Sequence, residues 1–75
     1  MNKEGITVLD GALQHTLIRY VNYRGEESVR SIIPKKIWFG ESPYHTVAQH
    51  FLRAWDDAKK SYRDFAMRDI KEWGI

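Results

Sequence analysis

The chain contains no cysteine, and this absence removes two classes of stabilising chemistry. Without thiols there is neither a disulfide framework nor a thiolate metal site. The 75 residues must therefore be held together by packing alone. That requirement suits a reducing compartment, so we expect a cytoplasmic protein, although the cysteine count by itself neither requires nor excludes secretion.

Long apolar runs and a strong net charge are also missing. Residues 6–9 form only a short mixed apolar stretch, which is too short for a signal peptide or a membrane span, and we expect no membrane association. Twelve Lys and Arg against ten Asp and Glu give a formal net charge of +2. Any attraction for nucleic acid must then come from clustered cations rather than from total charge.

The sequence carries no recognisable catalytic or metal-binding motif. Its serines lie in no nucleophile-elbow or triad context, and no Gly-rich phosphate loop exists. The three histidines lack zinc-ligand spacing. Asp56 and Asp57 are adjacent, so on a strand end they point apart and do not form a catalytic pair. We predict a protein that is not an enzyme and uses no metal or cofactor, with catalysis kept only as a remote alternative.

Bulky apolar residues are present in sufficient number for one compact core. Hydrophobic residues make up 43% of the chain, with three Trp, four Tyr and three Phe, and charged residues make up 29%. A chain of this length removes only about 60% of its unfolded surface from water, which leaves no room for a second core. We predict a single domain over residues 1–75, with a flexible N-terminus at 1–5, a short helix at 6–15 and a barrel at 16–73.

Alternating patterns of β-branched and aromatic residues predict short strands over residues 17–23, 26–33, 35–39, 50–56 and 61–67, and a last strand or single turn over 68–73. Arg24-Gly25 predicts a hairpin turn, and residues 57–60 predict a polar turn. Pro34 has no amide proton, so it is predicted to end the second strand. Residues 40–49 lack clean periodicity and predict an irregular loop. Five short strands with tight turns indicate a mostly β fold, a strongly bent barrel with few unpaired edges.

A set of residues in a defined order is similar to a known family pattern. The set is Ile18-x-Tyr20, Gly25, Arg30-x-x-x-Pro34, Phe51-Leu52-x-Ala54-Trp55-Asp56, Arg63-x-Phe65 and Arg68-Asp69-Ile70. Between about residues 12 and 71 it resembles the WYL ligand-sensing domain of bacterial regulators. The tripeptide that names the family falls on His50-Phe51-Leu52, where His50 replaces the leading Trp.

The resemblance implies a fold and a class of function. The fold is a small five-stranded Sm-like (Src-homology-type) barrel. The function is sensing of nucleic acid or nucleotides, as in domains attached to helix-turn-helix regulators of transcription or to CRISPR and other defence systems. The chain has no room for a helix-turn-helix in front of the barrel. We therefore expect it to work alone or to act on a partner protein.

A groove of the family type combines basic side chains that bind phosphate with flat rings that stack on bases. The candidate cations are Arg30, Arg53, Arg63 and Arg68, and the candidate rings are Tyr20, Phe51 and Trp55. If residues 50–56 are extended, Arg53 lies between Phe51 and Trp55 on one strand face. The alternatives are that the rings belong to the core and that the arginines form surface ion pairs with aspartates.

The sequence therefore predicts a sensing module that binds single-stranded nucleic acid or a nucleotide. The alternative is a protein-interaction module of bacterial or phage origin that docks on a nucleic-acid enzyme or a defence complex. Trp38, Phe39, Pro43 and Tyr44 motivate the alternative, because an aromatic strand leading into an irregular loop is typical of interface hot spots. Homodimerisation through exposed strand edges is a further possibility.

Overall fold

The computed structural model describes residues 15–75. The predicted flexible N-terminus and short helix lie outside the described residues, apart from His15. The described chain is mostly β, as the sequence predicts, and contains no helix long and apolar enough to cross a bilayer. Its elements are β1 (Thr16–Val21), β2 (Glu27–Ser42), β3 (His45–Asp56), β4 (Ser61–Ala66), a single 3-10 turn (Met67–Asp69) and β5 (Ile70–Trp73).

All five strands belong to one antiparallel sheet with the order β4-β3-β2-β1-β5. The β1–β2 connection falls on Arg24-Gly25 as predicted, and Gly25 has a φ of 81°, a conformation that favours glycine. The β3–β4 connection also falls on the predicted polar turn. There Lys60 has a φ of 55° and its N–H donates to the carbonyl of Asp56 at 2.8 Å.

Two predictions about the middle of the chain are wrong. Pro34 does not end a strand, because β2 runs through it and unites the predicted second and third strands. Proline is tolerated there because β2 pairs with β1 only as far as Ile32 and because the β2–β3 register shifts between Pro34 and Lys36. The predicted loop over residues 40–49 is also absent: β2 and β3 continue to a turn at Pro43-Tyr44, with a register shift beyond Gly40.

The core lies on the concave face of this sheet. Its buried members are Ile18, Tyr20, Ile32, Leu52, Ala54 and Phe65, with Met67 and Ile70 packed against them. The Tyr20 ring meets the Phe65 ring edge-to-face at 4.9 Å, and the Ala66 N–H donates to the Tyr20 hydroxyl at 3.2 Å. Burial raises the pKa of Tyr20 above its ordinary value, so the hydroxyl stays protonated at neutral pH.

The sheet is not closed. Strands β4 and β5 lie at its two edges, and residues 15–75 show no pairing between them. The predicted barrel is therefore confirmed only as a five-stranded antiparallel sheet. Strand count and tight turns do not decide closure, because closure also requires hydrogen bonds between the two edge strands. Side chains bring the two ends together instead, since Tyr20 on β1 contacts Phe65 and Ala66 on β4.

Tyr20→Phe is expected to lower the free energy of unfolding by about 1–3 kcal/mol, because it leaves the buried Ala66 N–H without its acceptor. Urea denaturation followed by tryptophan fluorescence measures the change. The matched control is Tyr62→Phe, since Tyr62 is 50% exposed and its change is expected to stay within about 0.5 kcal/mol. Equal stability of the two variants would show that the hydroxyl does not support the fold.

Candidate ligand-binding cleft

A cleft of about 730 Å³ opens beside the core. It lies between the β1–β2 turn, the tip of the β2–β3 hairpin and the first half of β4. Four cations line it: Arg24, Arg30, Lys59 and Arg63. Three tyrosines that are each at least half exposed also line it: Tyr23, Tyr44 and Tyr62. The cleft therefore combines donors for an anion with flat apolar surfaces.

The carboxylates in the cleft lining are already engaged. Asp64 accepts from the Trp38 indole N–H at 2.8 Å and from the Arg53 guanidinium at 3.2 Å. Glu26 accepts from the Asn22 side-chain amide at 3.0 Å. Within residues 15–75, no carboxylate oxygen lies within 4.0 Å of the Arg63 guanidinium. Positive charge thus exceeds negative charge in the cleft, although the chain as a whole is nearly neutral.

Arg30 is held in place by a buried carboxylate. Asp56 is fully buried, and its Oδ2 lies 3.4 Å from Nη1 of Arg30, whose side chain is 17% exposed. The other oxygen, Oδ1, accepts from the N–H groups of Ala58 and Lys59 at 3.0 and 3.3 Å. Asp56 therefore shapes the β3–β4 turn and orients Arg30 at once. Neither the buried Nε of Arg30 nor Oδ2 of Asp56 has a hydrogen-bond partner in the described chain, so charge attraction rather than a hydrogen bond holds the two groups together.

Two tyrosines join two hairpin turns at the mouth of the cleft. The rings of Tyr23, from the β1–β2 turn, and Tyr44, from the β2–β3 turn, lie 4.8 Å apart at an interplanar angle of 31°. Tyr23 and Tyr44 are 57% and 65% exposed. On the other side, Tyr62 packs edge-to-face against Trp55 at 5.2 Å. The Arg24 guanidinium lies over the Tyr23 ring and the Lys35 ammonium over the Tyr62 ring, each 5.9 Å from the ring centroid. The exposed parts of the three rings are the surface that a stacking partner would use.

The structure brings together two of the four predicted arginines, Arg30 and Arg63. Arg53 lies on the opposite face of β3 in an ion pair with Asp64. Arg68 lies in the 3-10 turn beside a second, shallower depression. The four cations therefore do not share one groove, because the positions that look close in sequence lie on opposite faces of the curled sheet.

The three predicted stacking rings also separate. Tyr20 is 5% exposed within the core cluster, and Phe51 is fully buried beneath Trp38 on the other face of β3, so neither ring offers a face to a base. Phe51 stacks under Trp38 at 4.7 Å and contacts His45 edge-on. Trp55 is half-buried against Tyr62. Burial corrects the predicted roles of Tyr20 and Phe51, although the continuous strand β3 does place Phe51, Arg53 and Trp55 on one face.

The predicted interface residues lie along the distal half of the β2–β3 hairpin. Phe39 is 61% exposed, and Pro43 and Tyr44 are exposed in the turn, where they also line the cleft. Trp38 is half-buried, and its ring crosses Gly40 so closely that a Cβ there would lie 2.7 Å from it. The glycine is thus required by the tryptophan.

Sequence reasoning did not select Tyr23, Arg24, Lys59 or Tyr62 for this site. One signal was available, because the first and third turns of an antiparallel meander lie at the same end of the sheet. That rule places Tyr23 and Arg24 near Lys59 and Tyr62. The position of Tyr44 beside the cleft could not be predicted in this way. Tyr44 lies in the β2–β3 turn at the other end of the sheet and reaches the cleft only because that hairpin bends.

Comparisons with known proteins give no match: no protein-family model, no curated protein and no solved structure is similar to this chain. Within residues 15–75, no three His, Asp or Glu side chains converge in a way that suits a metal ion.

Asp56→Asn is expected to lower the free energy of unfolding by about 2–4 kcal/mol, because it leaves the poorly exposed Arg30 guanidinium without its counter-charge. Urea denaturation measures the loss. Asp57→Asn is the matched control, since Asp57 is 38% exposed and its ion pair with His15 contributes at most about 1 kcal/mol. Equal losses in the two variants would contradict the role given to Asp56.

Proposed function

We propose that the protein is a non-enzymatic, WYL-like sensing module that binds single-stranded nucleic acid or a nucleotide in the cleft. One observation carries the proposal: Arg30 and Arg63 line the same cleft as the exposed rings of Tyr23, Tyr44 and Tyr62. Guanidinium groups bind phosphate through charge-assisted hydrogen bonds, and tyrosine faces stack on bases. The cleft offers both in one place.

The size of the cleft favours a short stretch of nucleic acid or a free nucleotide. Its volume of about 730 Å³ lies within the range of about 300–1,000 Å³ of small-molecule sites. A folded duplex presents its bases edge-on and cannot stack them on tyrosines, whereas a single strand can. The ligand is therefore expected to be unpaired.

The ion pair with Asp56 supports a binding role for Arg30 rather than a purely structural one. Nη1 lies 3.4 Å from Asp56 and Nε is buried, so the exposed 17% of the Arg30 side chain is the part that would contact a phosphate in the cleft. The carboxylate fixes the guanidinium in position before a ligand arrives. Such preorganisation lowers the entropic cost of binding.

The fold proposed for this module is an Sm-like barrel whose two edge strands, β4 and β5, do not pair with each other within residues 15–75. The order β4-β3-β2-β1-β5 and the curl that brings Tyr20 against Ala66 support it. The biological setting proposed with it is a cytoplasmic regulatory role, in which ligand binding is passed to a partner in transcription regulation or defence.

Arg63→Gln is expected to weaken binding of a fluorescently labelled oligothymidine and to flatten its salt dependence. For single strands the slope of log K against log salt is about −0.7 per phosphate contacted, so loss of one contact reduces the slope by about 0.7. Fluorescence anisotropy between low and moderate salt measures both effects. The matched control, Arg19→Gln, removes an exposed arginine that is paired with Glu72 outside the cleft.

Unchanged slopes in both variants would refute phosphate binding at Arg63. A slope that changes equally in both would indicate general electrostatic attraction rather than a site.

Tyr44→Ala is expected to weaken oligothymidine binding by about 5- to 150-fold, because stacking on an aromatic ring is worth about 1–3 kcal/mol per base. Tyr44→Phe, which keeps the ring, is the matched control and is expected to bind within about twofold of the parent chain. Anisotropy titrations at one fixed salt concentration compare the three proteins. Equal losses in the two variants would assign the effect to the hydroxyl and not to stacking.

A second candidate function is a protein-interaction module that docks on a nucleic-acid enzyme or a defence complex. The observation in its favour is the exposed apolar surface of the β2–β3 hairpin. Ile37 and Phe39 are 58% and 61% exposed, and they share one face of β2 because they lie two residues apart. A single exposed apolar residue is ordinary, whereas two neighbouring ones on one face favour a contact surface. An oligonucleotide affinity below detection would favour this function over the first.

A further inference from the structure

The outer edge of β2 is uncovered in the described chain. Strand β1 pairs with β2 from Glu27 to Ile32, and the last pair is Thr16 with Ile32. From residue 33 to residue 42, β2 has β3 on one side and no strand from residues 15–75 on the other. A long exposed edge is a template for pairing with another strand.

The register shows which backbone groups point outward at this edge. The Asp57 N–H donates to the carbonyl of Ser31, so the backbone N–H and C=O groups of Ser31 point toward β3. Because these groups alternate along a strand, those of Ile33 also point toward β3. Ile33 lies opposite Trp55, so the backbone groups of Trp55 point toward β2. Alternation along β3 then points the backbone groups of Phe51 toward β2 as well.

Two residues of β2 therefore direct backbone groups toward the side of the strand that residues 15–75 leave uncovered. The backbone groups of Leu52 and His50, the neighbours of Phe51 on β3, point away from β2. Their partners, Ile37 and Phe39, point away from β3 in turn and direct their N–H and C=O groups outward. Hydrogen-bonding groups and exposed apolar side chains thus occur at the same two positions.

The residues along this edge are complementary to the same residues of a second copy that runs antiparallel. With Trp38 as the centre, Ile37 lies opposite Phe39, which puts two exposed apolar side chains on the same face. The basic pair Lys35 and Lys36 lies at the end that faces Glu41 of the reversed strand. Opposite charges thus lie at corresponding ends of the strand, just outside the regular stretch from Lys36 to Gly40.

We propose that a second copy of this chain pairs antiparallel with the β2 edge about a two-fold axis at Trp38. Ile37 of each copy opposes Phe39 of the other, and both residues exchange backbone hydrogen bonds. The self-complementary order of apolar and charged residues identifies a second copy, rather than an unrelated protein, as the occupant. The pairing uses none of the cleft cations and does not rest on the proposed ligand.

The full chain is expected to show a concentration-dependent mass of two chains in gel filtration with light scattering. Phe39→Lys is expected to raise the dimer dissociation constant at least about tenfold, because a charge at the edge opposes strand pairing. Val29→Lys is the matched control: Val29 is 48% exposed on the part of β2 that β1 covers, and this variant is expected to remain dimeric.

Disulfide trapping tests the register without a charged variant. The parent chain has no cysteine, so introduced thiols report only on each other. A mixture of Ile37→Cys and Phe39→Cys chains is expected to cross-link rapidly, because directly opposed Cα atoms lie about 5.5 Å apart and a disulfide spans about 4.4–6.8 Å. Either variant alone is expected to cross-link slowly, since its thiols sit diagonally, about 7–8 Å apart.

Three results would overturn the proposal. The first is a parent chain that stays monomeric at every concentration. The second is a Phe39→Lys chain that dimerises as tightly as the parent. The third is cross-linking of a single variant as fast as the mixture. A parent chain that dimerises but binds no oligothymidine would overturn the cleft proposal alone, so the two failures are distinguishable.

Discussion

The bond from the Ala66 N–H to the Tyr20 hydroxyl is the contact on which the rest of the molecule depends. Tyr20 stands on β1, next to one edge of the sheet, and Ala66 ends β4 at the other edge. A small open sheet buries little by itself, so its two ends must meet around one core. Tyr20 joins the two ends, because its ring packs against Phe65 and its hydroxyl accepts a hydrogen bond from the Ala66 N–H. The same curl creates the hollow that becomes the cleft.

Asp56 connects that fold to the site. A buried carboxylate is unfavourable unless every oxygen finds a donor. Two turn amides serve Oδ1, but the contact of Oδ2 with Arg30 is long at 3.4 Å, so the guanidinium is attracted without being fully engaged. The folding requirement therefore places a cation at the cleft and leaves it donors for a ligand. Arg63 adds a second cation for which residues 15–75 supply no carboxylate partner.

Much of the strand pattern was predictable, because β1 and β4 alternate clearly and Gly25 marks a turn. Pro34 was misread for a physical reason. A proline interrupts a strand only where its missing N–H faces a neighbour, and the sequence does not show that its side of β2 lies beyond the reach of β1. The prediction of the binding residues was wrong for a similar reason, because it also depended on a neighbouring strand. Face alternation correctly grouped Phe51 with Arg53, but whether that face is buried depends on Trp38, which packs from another strand.

The two proposals make one further distinction between ligands. If two chains pair along β2, their clefts are held in a fixed relation on one continuous sheet. A single strand long enough to reach both clefts then gains from effective concentration, since its second contact becomes intramolecular. A free nucleotide fills one cleft and gains nothing from the pairing. Dimerisation would therefore raise the affinity for a long single strand over that for a free nucleotide, without adding a cation to either cleft.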